Sequence, residues 1–114
     1  MIILQKTISR EYLAELAEHF YGDMIKGVVD IDRGKIALDA ELHSDLERLL
    51  LEDGSEQEYL WGINLYPEVD DEDFIEFDSL INIRPRQNNR SRYVEDAVIR
   101  DAIQKLVKIL ESST

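Results

Sequence analysis

Three segments of the chain alternate between apolar and polar side chains, and this alternation limits the folds that the chain can adopt. The segments span residues 35–43, 59–66 and 74–84. A period of two is typical of a β-strand with one buried and one exposed face. We therefore expect a sheet with one apolar and one polar face. The side chains predicted to be buried are Leu38, Trp61, Ile63, Phe77 and Ile81.

Three other segments carry apolar residues at helical spacing, and each follows a residue that can cap a helix. Ser9 and Asp96 are expected to cap the first and last helices, and Ser44 forms a capping box with Glu47 at the second. Two further apolar runs are predicted to be strands, at residues 2–4 and 28–32. The pattern predicts a single α+β domain of order β-α-β-β-α-β-β-α. Its sheet is largely antiparallel, with about five strands and with three helices mainly on one face.

The charge balance narrows the classes of partner. Acidic residues outnumber basic residues by 25 to 13, which gives a formal net charge of −12. We expect no general binding to duplex DNA, because that function requires a basic surface. The absence of cysteine excludes disulfides and thiolate metal sites. No apolar run is long enough to span a membrane, so we expect a cytoplasmic protein that does not bind membranes.

Four arginines fall within residues 84–92, a segment that we call the arginine loop. Guanidinium groups present paired donors that fit carboxylates and phosphates. The loop is therefore a candidate site for a small anionic ligand, and the candidate ligand-binding residues are Arg84, Arg86, Asn89, Arg90 and Arg92. Two other roles are open. The arginines can neutralise the protein's own acids, such as Glu76, Asp78 or the acidic turn 68–73, or they can form an interface.

The predicted polar face of the sheet supplies the other candidate residues. The supporting residues of the anion site are Asp39, Glu41, His43, Asn64 and Asp78. Carboxylates beside a histidine and an arginine suit general acid–base chemistry or the binding of a divalent ion. The alternative is an ordinary solvated sheet face with cross-strand ion pairs. We assign no residue a catalytic role, and we predict neither a metal site nor a cofactor.

The last predicted helix carries a wide apolar stripe. Its members are Val98, Ile99, Ala102, Ile103, Leu106, Ile109 and Leu110. Val107 extends the stripe beyond what packing against one sheet requires. A two-fold symmetric dimer is the commonest closed assembly of a protein. The stripe therefore predicts a homodimer.

Several strings of the chain resemble an uncharacterised prokaryotic family of small proteins, known only as a domain of unknown function. The strings are LLLEDGS at residues 49–55, LWGINLYP at 60–67, NIRP at 82–85 and NRSRYVED at 89–96. The resemblance covers nearly the whole chain. It implies an intracellular protein of a prokaryote, and it brings no activity and no catalytic residue.

Two functional hypotheses follow from these patterns. The first is a small intracellular binding or assembly protein without catalytic activity. The second is a small enzyme or ligand-binding protein that acts on an anionic substrate through the arginine loop, with His43 and the acids Asp39 and Glu41 in support. Arginines paired to the protein's own carboxylates favour the first hypothesis. Arginines that converge with His43 on a pocket favour the second.

Overall fold

A computed structural model of the chain describes residues 1–70 and 72–111. Asp71, which belongs to the predicted acidic turn, and residues 112–114 lie outside the described residues. The elements in chain order are β1 (Ile2–Leu4), α1 (Arg10–Ala17), β2 (Ile25–Asp30), β3 (Lys35–Leu38), α2 (His43–Glu52), β4 (Leu60–Leu65), β5 (Ile75–Glu76) and α3 (Ala97–Leu110). The five strands form one antiparallel sheet in the order β1-β3-β2-β4-β5. This arrangement confirms the predicted α+β class and element order.

Both faces of the sheet are covered by helices. Helices α1 and α3 pack on the face that carries Trp61 and Ile63. Helix α2 packs on the opposite face, where Val28 and Ala37 are buried. The expectation of one polar, solvated face is therefore wrong for the central strands. Every residue of β4 is buried, because α1 and α3 cover one face of the strand, while α2 and the segment after β5 cover the other.

Two of the three predicted helix caps are present. The Ser9 side chain accepts a hydrogen bond from the Tyr12 amide at 3.1 Å, and the Asp96 carboxylate accepts one from the Val98 amide at 2.8 Å. Each bond pairs an amide that would have no partner within its helix. The predicted cap at Ser44 is wrong. Helix α2 already begins at His43, and no side chain caps it.

The segment after β5 departs most from the prediction. The expected strand over residues 74–84 pairs with β4 only at its first residues, Ile75 and Glu76. The chain then packs against β4 through side chains. The carboxamide of Asn82 accepts from the Gly62 amide at 2.8 Å and donates to the Gly62 carbonyl at 2.9 Å. Gly62 permits this approach, since a Cβ at that position would lie 2.5 Å from the Ser79 Cβ.

The predicted core is mostly correct, with exceptions at the irregular segment and on α3. Phe77 and Ile81 are only partly buried, because they belong to the segment that leaves the sheet. On α3, Val107 is buried in the core. It therefore cannot extend an outward apolar stripe, as the sequence had suggested. The exposed apolar residues of that helix are Val98 and Ile109.

Candidate functional site

The arginine loop is a tight hairpin closed by Arg84 and Asn89. The Arg84 amide donates to the Asn89 carbonyl at 2.7 Å, and the Asn89 amide donates to the Arg84 carbonyl at 3.1 Å. A short 3₁₀ turn over Pro85–Gln87 joins the two sides, and Asn88 closes it with a φ of 60°. Asparagine tolerates this left-handed conformation better than most residues. The sequence of the loop thus favours one defined turn.

Arg84 lies on the inner side of the loop and binds backbone carbonyl groups. Its guanidinium donates to the Ile81 carbonyl at 2.9 Å, to the Gln57 carbonyl at 2.6 Å and to the carbonyl of Leu60. The same group stacks over the Trp61 ring, with its carbon atom 4.6 Å from the ring centroid. Burial lowers the pKa of the Arg84 guanidinium from its usual value. This side chain joins the loop to the start of β4.

Asn89 also lies on the inner side, where its exposed fraction is 3%. Its side-chain nitrogen lies within hydrogen-bonding distance of the carbonyls of Asn82, Ser91 and Tyr93, at 2.7, 3.1 and 2.7 Å. Its side-chain oxygen accepts from the Glu95 amide at 2.8 Å. Such a buried network fixes the backbone on both sides of the loop. Asn89 is thus committed to the protein's own backbone.

The backbone amides of the loop already bind an anion, the carboxylate of Glu95. Its Oε2 atom accepts from the amides of Arg90 and Ser91 at 2.7 and 2.8 Å and from the Ser91 hydroxyl at 2.9 Å. The Ser91 hydroxyl and these amides hold the pKa of the Glu95 carboxyl below its usual value. Successive amides of this kind are a common anion site. Here the site is filled from within the chain.

Arg92 pairs with Asp78 on the protein surface. The Arg92 Nε atom donates to Asp78 Oδ1 at 2.6 Å, and its Nη2 atom lies 3.4 Å from Asp78 Oδ2. The two-point geometry suits a guanidinium and a carboxylate. Both side chains are about half exposed, at 53% and 43%. The ion pair is the kind of neutralisation that the sequence offered as the alternative to ligand binding.

Arg86 and Arg90 differ from the other arginines. Six of the eight arginines in the chain donate a guanidinium hydrogen bond to another group of the protein. Within residues 1–70 and 72–111, the guanidinium groups of Arg86 and Arg90 make neither a hydrogen bond nor an ion pair. Both residues are exposed. These two arginines thus differ from the other six in having exposed guanidinium groups without a hydrogen-bond partner in the described residues.

His43 and Asn64 belong to a separate polar cluster near the junction of β4 and β5. The Nε2 atom of His43 lies 2.8 Å from the Ile63 carbonyl, as expected for a donated hydrogen bond. The Asn64 carboxamide donates to Glu76 Oε1 at 2.8 Å and to the Asp78 carbonyl at 3.2 Å. Asn64 therefore links the cluster to the residue that pairs with Arg92.

The buried position of His43 determines its charge state. Burial lowers the pKa of the imidazole, and the positive charge of Lys26 lowers it further, while the hydrogen bond to Ile63 acts in the opposite direction. The neutral ring is consequently favoured in the folded protein. Since one ring nitrogen is already bonded to a backbone carbonyl, the histidine acts as a structural donor to β4.

Asp39 and Glu41 do not join either group. The Asp39 carboxylate lies 2.7 Å from His19 Nδ1, and the Glu41 backbone carbonyl accepts from the Tyr21 hydroxyl. The predicted strand that would have aligned these acids with His43 ends at Leu38. Asp39 then takes a φ of 73°, which turns the chain away from the sheet. The structure thus separates these two supporting residues from the arginine loop.

An open depression of about 860 Å³ lies beside the Arg92–Asp78 pair. Its described lining includes Glu76, Tyr93 and Arg100 but none of His43, Arg86 and Arg90. Arg100 is occupied by the carbonyls of Val94 and Glu95, at 2.7 and 2.9 Å. This depression therefore contains Arg92 and Asp78 of the predicted site residues but does not bring them together with His43, Arg86 or Arg90.

Within residues 1–70 and 72–111, no group of three or more histidine, cysteine or acidic side chains could hold a metal ion. None of the helices in these two ranges is both long enough and apolar enough to cross a membrane.

Two residues that organise the site were missed by sequence reasoning. Glu95 was not connected with the loop, although an acid five positions after Arg90 is a signal for such a local contact. Asn82 lies in the segment 74–84 that was expected to be a strand with one solvated face, yet its exposed fraction is 0%. The sequence carries no comparable signal for Asn82, because its partner Gly62 lies on a distant strand.

The family model described as "Protein of unknown function (DUF5674)" matches residues 2–110. The chain belongs to the DUF5674 family. This membership agrees with the expected resemblance to an uncharacterised domain family. No curated protein and no solved structure matches the chain.

Proposed function

We propose that this member of the DUF5674 family is a non-catalytic binding and assembly protein that forms a homodimer through α3. The observation that carries the proposal is the exposure of two large apolar side chains on that helix. Val98 is 76% exposed and Ile109 is 71% exposed, although the helix buries Ile103, Val107 and Leu110 in the core. Helix α3 therefore has apolar groups on two sides.

The outer apolar groups of α3 fall on one line along the helix. With 3.6 residues per turn, Val98, Ala102 and Ile109 project within roughly 40° of one another. We call these three residues the α3 stripe. Lys105 and Asp101 border it and form an ion pair at 2.9 Å. An apolar line with a charged border is a common design of protein interfaces.

A second copy of the chain fits the α3 stripe by symmetry. In an antiparallel two-fold arrangement, Val98 would face Ile109 of the second copy, and the small Ala102 would allow close approach at the centre. Asp101 would then lie beside Lys105 of the second copy, so each charge would find an opposite charge. An isologous interface requires this kind of self-complementary pattern.

The polar groups offer less support for the alternative of a small enzyme or anion-binding protein. Arg84 and Asn89 bond to the backbone, Arg92 pairs with Asp78, and Glu95 fills the loop amides. A catalytic base needs a free position within reach of a substrate. His43 is instead buried and bonded to a backbone carbonyl.

The setting that we propose is the cytoplasm of a prokaryote. The support for this setting is the resemblance of the sequence strings to a prokaryotic family of small proteins. The proposed assembly carries no cofactor.

Analytical ultracentrifugation over a range of micromolar concentrations tests the proposed dimer. We expect the apparent mass to rise from 13.3 kDa towards twice that value as concentration increases. The double variant Val98→Asp/Ile109→Asp should remain a monomer, because carboxylates would then face each other across the proposed interface. Circular dichroism shows whether the variant keeps its helices.

The matched control is Leu80→Asp, which removes an exposed apolar side chain outside α3. This variant should dimerise like the wild type. A wild-type protein that stays at 13.3 kDa at all concentrations would contradict the proposal. The same holds if the two α3 substitutions leave the dimer intact.

A further inference from the structure

We propose that the outer side of the arginine loop docks an acidic, aliphatic segment of a partner protein. The docking surface consists of Leu80, Ile83, Arg86 and Arg90, which we call the outer loop surface. The inference builds on the proposed role as a binding protein, and it concerns side chains other than those of the α3 stripe. Three properties of the surface support it: exposure, free charge and a fixed backbone.

The apolar part of the surface is exposed although it adjoins the core. Leu80 is 66% exposed and Ile83 is 42% exposed. Ile83 and Arg90 flank the Arg84–Asn89 bridge in the chain, and both are exposed. An exposed aliphatic side chain and an exposed guanidinium therefore adjoin the bridge that closes the hairpin.

The charge of the surface opposes that of the whole molecule. The formal net charge is −12, yet the two arginines without a guanidinium hydrogen bond in the described part of the chain both lie on this loop. A local cationic surface on an acidic protein selects a negatively charged partner and repels a basic one. Arginine is also among the residues that contribute most to protein interfaces.

The backbone beneath these side chains is held in place before any partner binds. Glu95 accepts hydrogen bonds from the amides of Arg90 and Ser91, and Asn89 bonds to carbonyls before and after it. Pro85 restricts the turn at its tip. A partner would therefore meet a loop that pays little conformational entropy on binding.

The same contacts favour a protein segment over a small anion. The amides that could hold a phosphate are occupied by the Glu95 carboxylate. Neither Arg86 nor Arg90 is part of the described lining of the depression beside Arg92. Small-molecule sites are typically concave, whereas an exposed surface with apolar and cationic groups suits an extended peptide. Acidic groups would pair with the arginines, and aliphatic groups would cover Leu80 and Ile83.

A series of synthetic peptides provides the test. The peptides carry Asp and Glu with two Leu or Ile residues at varied spacing, each with a fluorescent label, and binding is read by anisotropy. We expect at least one spacing to bind the wild-type protein. The Arg86→Gln/Arg90→Gln variant should bind that peptide about tenfold more weakly or worse. Added salt should also weaken binding, because both arginines are exposed.

Two further variants separate the apolar contribution from the charge. Leu80→Ser and Ile83→Ser should each weaken the same peptide several-fold while all charges remain. The matched control is Arg48→Gln, which removes an exposed arginine on α2. It should leave peptide binding unchanged. Thermal melts of all variants show whether each one is folded.

Several outcomes would overturn the assignment. One is that no peptide of the series binds the wild-type protein. Another is that the bound peptide binds Arg86→Gln/Arg90→Gln equally well. A third is that inorganic phosphate, or an acidic peptide without aliphatic residues, competes as well as the best peptide, which would indicate a plain anion site. Repeating the measurement with Val98→Asp/Ile109→Asp distinguishes failure of the docking surface from failure of the dimer.

Discussion

The two sides of the arginine loop contain the same residue type and have opposite environments. On the inner side, the guanidinium of Arg84 donates to three backbone carbonyls and stacks on Trp61. On the outer side, Arg86 and Arg90 are exposed, and their guanidinium groups make no hydrogen bond within the described residues. The comparison shows that arginine density alone does not define a binding site. The direction in which each side chain projects determines which guanidinium is available.

The inner side also shows how an acidic protein can use arginine for stability. A buried cation without partners would be costly. The hydrogen bonds to backbone carbonyl groups offset this cost for Arg84. These carbonyl groups are present whether or not the protein binds a partner. The outer arginines lack such bonds, so removing them should affect binding more than folding. The following predictions test this difference.

The largest effect is expected for Asn89→Ala on the inner side. The substitution leaves the carbonyls of Asn82 and Tyr93 and the amide of Glu95 without their hydrogen-bond partner. We expect the free energy of unfolding to fall by about 3 kcal/mol, since each unpaired buried group is costly. Urea denaturation measures this loss. The control Arg90→Ala should change the free energy of unfolding by less than about 0.5 kcal/mol. Equal losses in the two variants would contradict the proposed difference between the inner and outer sides of the loop.

A smaller loss of stability is expected when the pH is lowered, because His43 is buried. Its pKa in the folded protein lies below the ordinary value of 6.5, mainly because of burial. At a pH between the pKa of His43 in the folded protein and its pKa in the unfolded chain, the unfolded chain binds more protons. Stability must therefore fall as the pH drops through about 6.5. His43→Gln should flatten this part of a plot of melting temperature against pH. An unchanged slope in the variant would mean that His43 does not titrate as its burial implies.

The smallest effect is expected for the exposed ion pair of Arg92 and Asp78. Arg92→Lys keeps the charge but loses the two-point geometry. Because both side chains are about half exposed, at 53% and 43%, the loss should be about 0.5 kcal/mol. Chemical denaturation in low and high salt measures it. If Arg92→Lys lowered the free energy of unfolding as much as Asn89→Ala does, Arg92 would have the same structural role as the residues on the inner side of the loop.

Much of the regular structure follows from sequence patterns. The caps Ser9 and Asp96 and the alternation of β4 place their elements correctly, because local hydrogen bonds and the side-chain period determine them. The segment after β5 does not follow its alternation. There, a carboxamide of Asn82 replaces strand pairing and a glycine on β4 leaves room for Ser79. Both are contacts between distant positions, which a single sequence does not reveal.

The density of arginines marks the loop as a candidate site, and this assignment stays a prediction. The contacts that the loop makes were not predictable from the sequence. The inward direction of Arg84 depends on its pairing with Asn89, and the occupied state of the loop amides depends on the fold of Glu95 back onto the loop. The supporting residues Asp39 and Glu41 were grouped with His43 only because the strand was expected to continue past Leu38.

A matched pair of lysine substitutions tests the central claim most directly. The measurement is the melting temperature of Arg84→Lys and of Arg90→Lys under identical conditions. Arg84→Lys should lose about 2 kcal/mol, because lysine cannot reproduce bonds to three carbonyls and the stacking on Trp61. That loss corresponds to a decrease of several degrees. Arg90→Lys should have the same melting temperature as the wild type. Equal decreases in both variants, or a decrease only in Arg90→Lys, would contradict the division of the loop into an inner structural side and an outer free side.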